Sequence, residues 1–212
     1  MDDSQKHLEH LAEMRSLMER STRFLSLSGL SGIWAGGCAL VGAFFVRYYL
    51  EPQLMNGDIY YERTDLAASS SLDYAINLLV AAMAVLLAAL IGGWFFTARK
   101  ARLRGERVWD ASSRRLLWAL IMPLATGGMF CLALLYWNLV MLLAPATLVF
   151  YGLALVNGSK YTLGDVGSLG LLQIGLGSLG MFFPGRGLEL WAIGFGVLHI
   201  LYGAWMYYKY DR

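Results

Sequence analysis

Charge is what this sequence has least of. Asp, Glu, Lys and Arg make up 15% of its 212 residues, whereas hydrophobic residues make up 58%. Soluble domains carry nearer a quarter charged residues. A water-soluble domain of this length is excluded on that ground, because it would have to bury a series of long apolar runs in one small core. Cysteine is scarcer still. The only two, Cys38 and Cys131, fall within apolar runs, which excludes a disulfide framework and leaves them as small hydrophobes. There are three histidines, and only His199 lies inside an apolar run; His7 and His10 belong to a polar N-terminal segment. One histidine at that depth excludes bis-histidine haem within a single chain, and four ligands for structural zinc do not converge. No metal or other cofactor is expected. No paired nucleophile and base, phosphate-binding loop, selectivity-filter motif, Gly-x-Ser or His-Glu-x-x-His pattern is present. No catalytic residue is therefore proposed, and an enzyme is not the expected class.

What the chain does have is apolar length. A helix needs about 20 apolar residues to cross the hydrocarbon core of a bilayer. Runs of that kind occupy roughly residues 27–46, 75–97, 116–137, 140–157, 166–184 and 188–208, the fourth being the shortest. The expected fold is all-α: a polytopic membrane protein forming a six-helix bundle over 27–208. An amphipathic helix over 1–26 should precede it, since Leu8, Leu11, Met14, Leu17, Met18 and Phe24 recur at helical spacing. The polar start of the chain argues against a cleaved signal peptide.

The few charges are distributed unevenly. Of the 17 Lys and Arg residues, all but Arg47, Arg63 and Arg186 fall in the N-terminal segment, the 98–115 loop, the 158–165 link or the C-terminus. The positive-inside bias puts those segments, and both termini, in the cytoplasm, and an even number of spans requires the same. A bacterial inner membrane is the expected location. The external loop, 48–73, is acidic, with Glu51, Asp58, Glu62, Asp65 and Asp73. In the internal loop, Arg99, Lys100, Arg102, Arg104 and Arg107 are candidates for contact with anionic lipid headgroups. Topology already explains that loop, so nucleic acid is not an expected partner.

Small residues recur at helical spacing in the apolar runs. Ser28, Gly32 and Gly36 form one stripe, and Ala84, Ala88 and Gly92 a second. Such stripes let backbones approach closely and would also serve a homo-oligomer. Two further stripes, Gly170–Gln173–Gly177–Gly180 and Ala192–Gly196–His199–Gly203, lie on the last two runs. The link Phe183-Pro-Gly-Arg-Gly-Leu188 is short enough for a tight hairpin centred near residue 186. Folding there brings Gln173 and His199 to one depth, in the middle of two facing stripes. A buried polar group costs about 2–7 kcal/mol when unpartnered, so a direct Gln173–His199 hydrogen bond is expected. This pair is the primary candidate for a ligand or proton site.

Secondary candidates are Asn77, Asp165, Pro123 and Pro145. The prolines can break a helix at mid-membrane, and Pro145 falls near the start of its run. Asp165 and Glu189 also suit the first turn of a helix. Tyrosines and tryptophans near the ends of the runs are read as interfacial anchors. Two functions remain open from these residues. One is membrane-embedded binding or transport of a small solute, ion or lipid. The other is a structural or regulatory role through lipid or protein contacts, without transport.

Overall fold

The computed structural model describes residues 28–50, 64–105, 109–137 and 139–211, together with His10, and every regular element among them is helical. The expected N-terminal helix over 1–26 and most of the external loop, including its acidic and tyrosine residues up to Arg63, lie outside the described residues.

Among the described residues, six helices are long and apolar enough to cross a membrane. They are α1 (Gly29–Leu50), α2 (Thr64–Leu103), α3 (Ala111–Tyr136), α4 (Val140–Tyr161), α5 (Asp165–Phe182) and α6 (Gly187–Tyr210). The spans read from the sequence match these in number and order. Their ends differ. α2 begins at Thr64, inside the segment read as external loop, and continues to Leu103, inside the basic one. Its first residues, Thr-Asp-Leu-Ala-Ala-Ser, contain no proline or glycine to stop a helix, and Leu and the two Ala favour one, although the segment is too polar for a membrane core. The basic loop shrinks accordingly. Arg99, Lys100 and Arg102 ride on α2, while Arg114 and Arg115 ride on the first turns of α3. α3 is started by Asp110, whose carboxylate accepts from the Ser113 amide at 2.7 Å while the Ser113 hydroxyl accepts from the Asp110 amide at 2.8 Å. This is a reciprocal capping box.

The fourth span is not the shortest: α4 has 22 residues and α5 has 18. A 3₁₀ turn over Val140–Leu142 feeds directly into α-helix at Leu143, adding length that hydropathy alone discounts. Pro145 falls in the first turn of that α-helix, where a missing N–H breaks no helical bond. It therefore forms no mid-membrane break. Its side chain is fully buried, and glycines 180 and 187 face its ring.

Packing divides the bundle into two groups. α1 lies between α2 and α6, and α4 lies between α3 and α5; the groups meet where the first half of α6 reaches α4 and α5. Glycines decide the close approaches. A Cβ added at Gly152 of α4 would sit 2.6 Å from the Gly170 carbonyl oxygen of α5, and one at Gly170 would sit 2.8 Å from the Gly152 oxygen. In the other group, a Cβ at Gly203 of α6 would sit 2.6 Å from the Gly29 oxygen of α1, and one at Gly36 would sit 2.6 Å from the Gly196 oxygen. The expectation that the stripes of α5 and α6 face each other is thus corrected. The α5 glycines face α4, and Gly196 and Gly203 face α1. The α1 stripe does bring a neighbour close, and that neighbour is α6. The α2 stripe also meets α1, where the Trp34 indole N–H donates to the Ala88 carbonyl at 2.9 Å and the ring covers Gly92. The outward faces remain apolar, with Val41, Ile91, Met122 and Met129 each at least two-thirds exposed.

Candidate functional site

α6 is irregular just before His199. The rod begins with α-helical turns at Gly187–Trp191, widens into π-helical turns over Ala192–Leu198, and returns to α-helix at His199. A π turn carries an extra residue, so positions on either side of it rotate relative to a straight α-helical register. Gly196 and Gly203 stay against α1, whereas the imidazole of His199 reaches the seam shared by α4, α5 and α6.

Three side chains and one backbone carbonyl meet there. The Gln173 amide nitrogen donates to the Gly194 carbonyl oxygen at 2.8 Å. His199 Nδ1 lies 3.0 Å from the same oxygen. On the far side of the ring, the Tyr151 hydroxyl lies 2.8 Å from His199 Nε2. The distances assign the tautomer. A carbonyl oxygen only accepts, so Nδ1 carries the proton and donates to Gly194, and Nε2 accepts from the Tyr151 hydroxyl. Gln173 Nε2 is 3.4 Å from Nδ1. With protons on both nitrogens, the two donors share one acceptor instead of bonding to each other. The hairpin register therefore brings Gln173 and His199 together at one depth, and Gly194 is the group that joins them.

The cluster is enclosed. Gln173 is 0% exposed and His199 6%. Phe195 stacks on the imidazole with ring centroids 5.8 Å apart at 10°, and Tyr151 lies 4.8 Å from Phe195. Gly194 permits the approach: an added Cβ would lie 2.5 Å from both Gln173 Oε1 and Leu148 Cδ2. One acceptor is left over, since Gln173 Oε1 is buried without a hydrogen-bond partner among the described residues. Rotating the amide would not help, because it would turn Oε1 toward the Gly194 oxygen and repel it. The Tyr202 hydroxyl is likewise buried and unpartnered.

The secondary candidates lie elsewhere. Asp165 is in the first turn of α5, about 12 Å along the helix from Gln173 at 1.5 Å per residue. It pairs with Lys209 at 2.8 Å and accepts from the Tyr210 hydroxyl at 2.9 Å, tying the ends of α5 and α6 together. Asn77 is exposed on α2. Pro123 sits within α3, which continues as helix through it. Proline has no N–H, so the carbonyl four residues back, on Ala119, lacks its usual helical donor. The Asn157 side chain of α4 supplies one at 2.9 Å. Of the lipid-headgroup candidates, Arg99 and Arg102 are exposed, Lys100 is buried, and Arg104 donates to the Tyr210 carbonyl. Arg107 lies outside the described residues.

Sequence reasoning overlooked Tyr151 and Asn157. Tyr151 lies well inside its run, away from the ends where interfacial anchoring explains a tyrosine, and a phenol at that depth needs a partner. Asn157 is the donor that an orphaned Ala119 carbonyl demands, and Pro123 announces that orphan.

Two clefts open along the seam of α3 and α4, and neither reaches His199. One, of about 480 Å³, is bordered by Arg114, Arg115, Trp118, Asn157 and Tyr161. The other, of about 500 Å³, is bordered by Met122, Pro123, Phe150, Leu153, Asn157 and Lys160.

No protein-family model, curated protein or solved structure matches the chain.

Proposed function

We propose that the protein works at the lipid-facing surface of a bacterial inner membrane, as a structural or regulatory protein without transport. In this reading the end bearing Arg99–Arg104, Arg114, Arg115, Lys160 and Lys209 is cytoplasmic. The His199 cluster is a lock that holds the two helix groups in register. The observation that carries this reading is the closure of the cluster. Both ring nitrogens of His199 and the donor end of Gln173 are committed to Tyr151 and Gly194, among side chains withdrawn from solvent. Hydrogen bonds between transmembrane helices contribute on average about 0.6 kcal/mol and at most about 1.7 each, a scale suited to fixing register.

A second reading has its own support. Gln173 Oε1 is buried and has no donor among the described residues, which is the feature a bound solute or a passing proton would use. Binding or transport of a small solute, ion or lipid through the bundle would then centre on Gln173 and His199. His199→Ala separates the two. If the cluster is a lock, the variant melts several degrees lower and holds co-purifying lipid, counted by native mass spectrometry, as the parent does. A variant that keeps its melting temperature but loses a retained ligand, or loses solute flux in proteoliposomes, would overturn the lock.

A further inference from the structure

Two clefts lie along the seam between α3 and α4, apart from the His199 cluster. They are neighbours, since Asn157 borders both. The first lies at the basic end of the bundle. Arg114 and Arg115 project into its border, and Trp118 and Tyr161 flank it. Lys160 stands over the second. All three cations are exposed, no carboxylate borders either cleft, and among the described residues none of the three is paired with an acid. The nearby carboxylate of Asp110 is engaged on the Ser113 amide as the cap of α3.

Away from that rim the groove turns apolar. Met122, Pro123, Phe150, Leu153 and Val156 form its walls, and the Thr126 hydroxyl is occupied by the Met122 carbonyl at 3.0 Å. Asn157 is likewise occupied, by the Ala119 carbonyl. From Arg114 to Thr126 the groove extends about 18 Å along α3 at 1.5 Å per residue. Half the hydrocarbon core of a bilayer is about 15 Å. A groove of that length, cationic at the membrane edge and apolar to mid-depth, has the shape and polarity of one leaflet's phospholipid.

We propose that this groove binds a phospholipid of net negative headgroup charge. Its phosphate is held by Arg114, Arg115 and Lys160, and an acyl chain lies over Pro123 between Phe150 and Leu153. The guanidinium forks suit bidentate contact with phosphate oxygens, and Trp118 and Tyr161 suit the interfacial level. A free phosphate would use the rim and leave the apolar wall empty. A zwitterionic headgroup would bring a cation into a rim that offers it no carboxylate. The proposal rests on the reading that the protein works through its lipid-facing surface, and it names the lipid.

The test uses the full chain in neutral detergent, titrated with dioleoyl phosphatidylglycerol or dioleoyl phosphatidylcholine and read by native mass spectrometry. Each cation near a membrane surface strengthens anion binding roughly fivefold. The parent should therefore prefer phosphatidylglycerol by about tenfold or more. The triple variant Arg114→Gln/Arg115→Gln/Lys160→Gln should lose that preference while still taking up phosphatidylcholine. Arg99→Gln/Arg102→Gln, on the neighbouring basic turns of α2, should keep it. Leu153→Trp, which fills the apolar wall, should weaken both lipids. Equal binding of both lipids by the parent, or a preference that survives the triple variant, would overturn the charge assignment while leaving a lipid groove. Displacement of phosphatidylglycerol by millimolar inorganic phosphate, or indifference to Leu153→Trp, would overturn the groove itself. The three cations are exposed, so their replacement leaves the packed bundle intact. Because none of these side chains touches His199, failure here is distinct from a ligand-loss phenotype of His199→Ala.

Discussion

Removing the Asn157 amide should destabilise the bundle only while Pro123 is present. Asn157 Nδ2 donates at 2.9 Å to the Ala119 carbonyl, the one acceptor that Pro123 deprives of its helical N–H. Asn157→Leu keeps the branched outline of the side chain and leaves that buried carbonyl without its donor. An orphaned buried polar group costs about 1–3 kcal/mol, and a hydrogen bond between transmembrane helices averages about 0.6 and reaches about 1.7. The single variant should therefore lose about 1–2 kcal/mol. Pro123→Ala restores a donor at the fourth position after Ala119. In that background, Asn157→Leu should cost about 0.5 kcal/mol or less, giving a coupling of about 1 kcal/mol. The four proteins of the cycle would be unfolded reversibly in mixed micelles and followed by circular dichroism. Differences in how the α3–α4 groove takes up detergent cancel in the cycle to first order. Equal costs of Asn157→Leu in both backgrounds would refute the reasoning, because the amide would then be stabilising α4 by some other contact.

The remaining predictions concern packing and orientation. Gly152→Ala should lower stability by about 1–3 kcal/mol, because its Cβ would meet the Gly170 carbonyl oxygen at 2.6 Å and the Ile174 amide nitrogen at 2.8 Å, both backbone atoms. Gly175→Ala, next to Ile174 on α5, has nothing within 4 Å of its Cβ and should be neutral or raise stability by up to about 1 kcal/mol, both variants being compared with the parent in thermal melts. A gain from both would show that α4 and α5 are not in close contact. Reporter fusions after Tyr60 should read as external, and those after Arg104 and Arg212 as cytoplasmic; an inverted pattern would overturn the orientation proposed for the basic end.

Hydropathy made the six helices legible, and the short 183–188 link made the register of Gln173 against His199 legible. Both depend on signals local to the chain: run length in one case, loop length in the other. Helix ends were less legible. Hydropathy reports where a chain is apolar enough for a membrane, not where its backbone stops being helical, and α2 continues through polar residues at both ends. Partner choice among the small-residue stripes was not legible either. A stripe states that some backbone comes close, but Gly170 and Gly196 carry the same invitation and different helices accept it. Tyr151 was hidden by a rule that usually serves well. Tyrosines of membrane proteins gather at interfaces, and only its distance from the ends of α4 marks this one as different.

Two demands fall on one side of α6, close approach to α1 and a partner for an imidazole, and the stripe pattern alone does not tell them apart. Gly196, His199 and Gly203 lie on one side of α6, but His199 is about 40° around the helix from Gly203, with which it shares the α-helical turns after Leu198. An unpartnered imidazole against the Gly29–Gly36 backbone would be both a steric and a polar defect. That offset and the reach of the side chain carry the imidazole past α1, and the Gly194 carbonyl, in the π-helical turns over Ala192–Leu198, lies beside it. The glycines keep their approach to α1, with Gly203 against Gly29 and Gly196 against Leu40. His199 turns to Tyr151, and the Gly194 carbonyl receives the donors of α5 and α6. α6 is thus seated on one helix group through its glycines and on the other through hydrogen bonds. Lengthening or deleting a residue in Ala192–Leu198 should release both contacts together. Substituting His199 should release only the second, and that difference in the extent of disruption is what identifies α6 as the joint of the bundle.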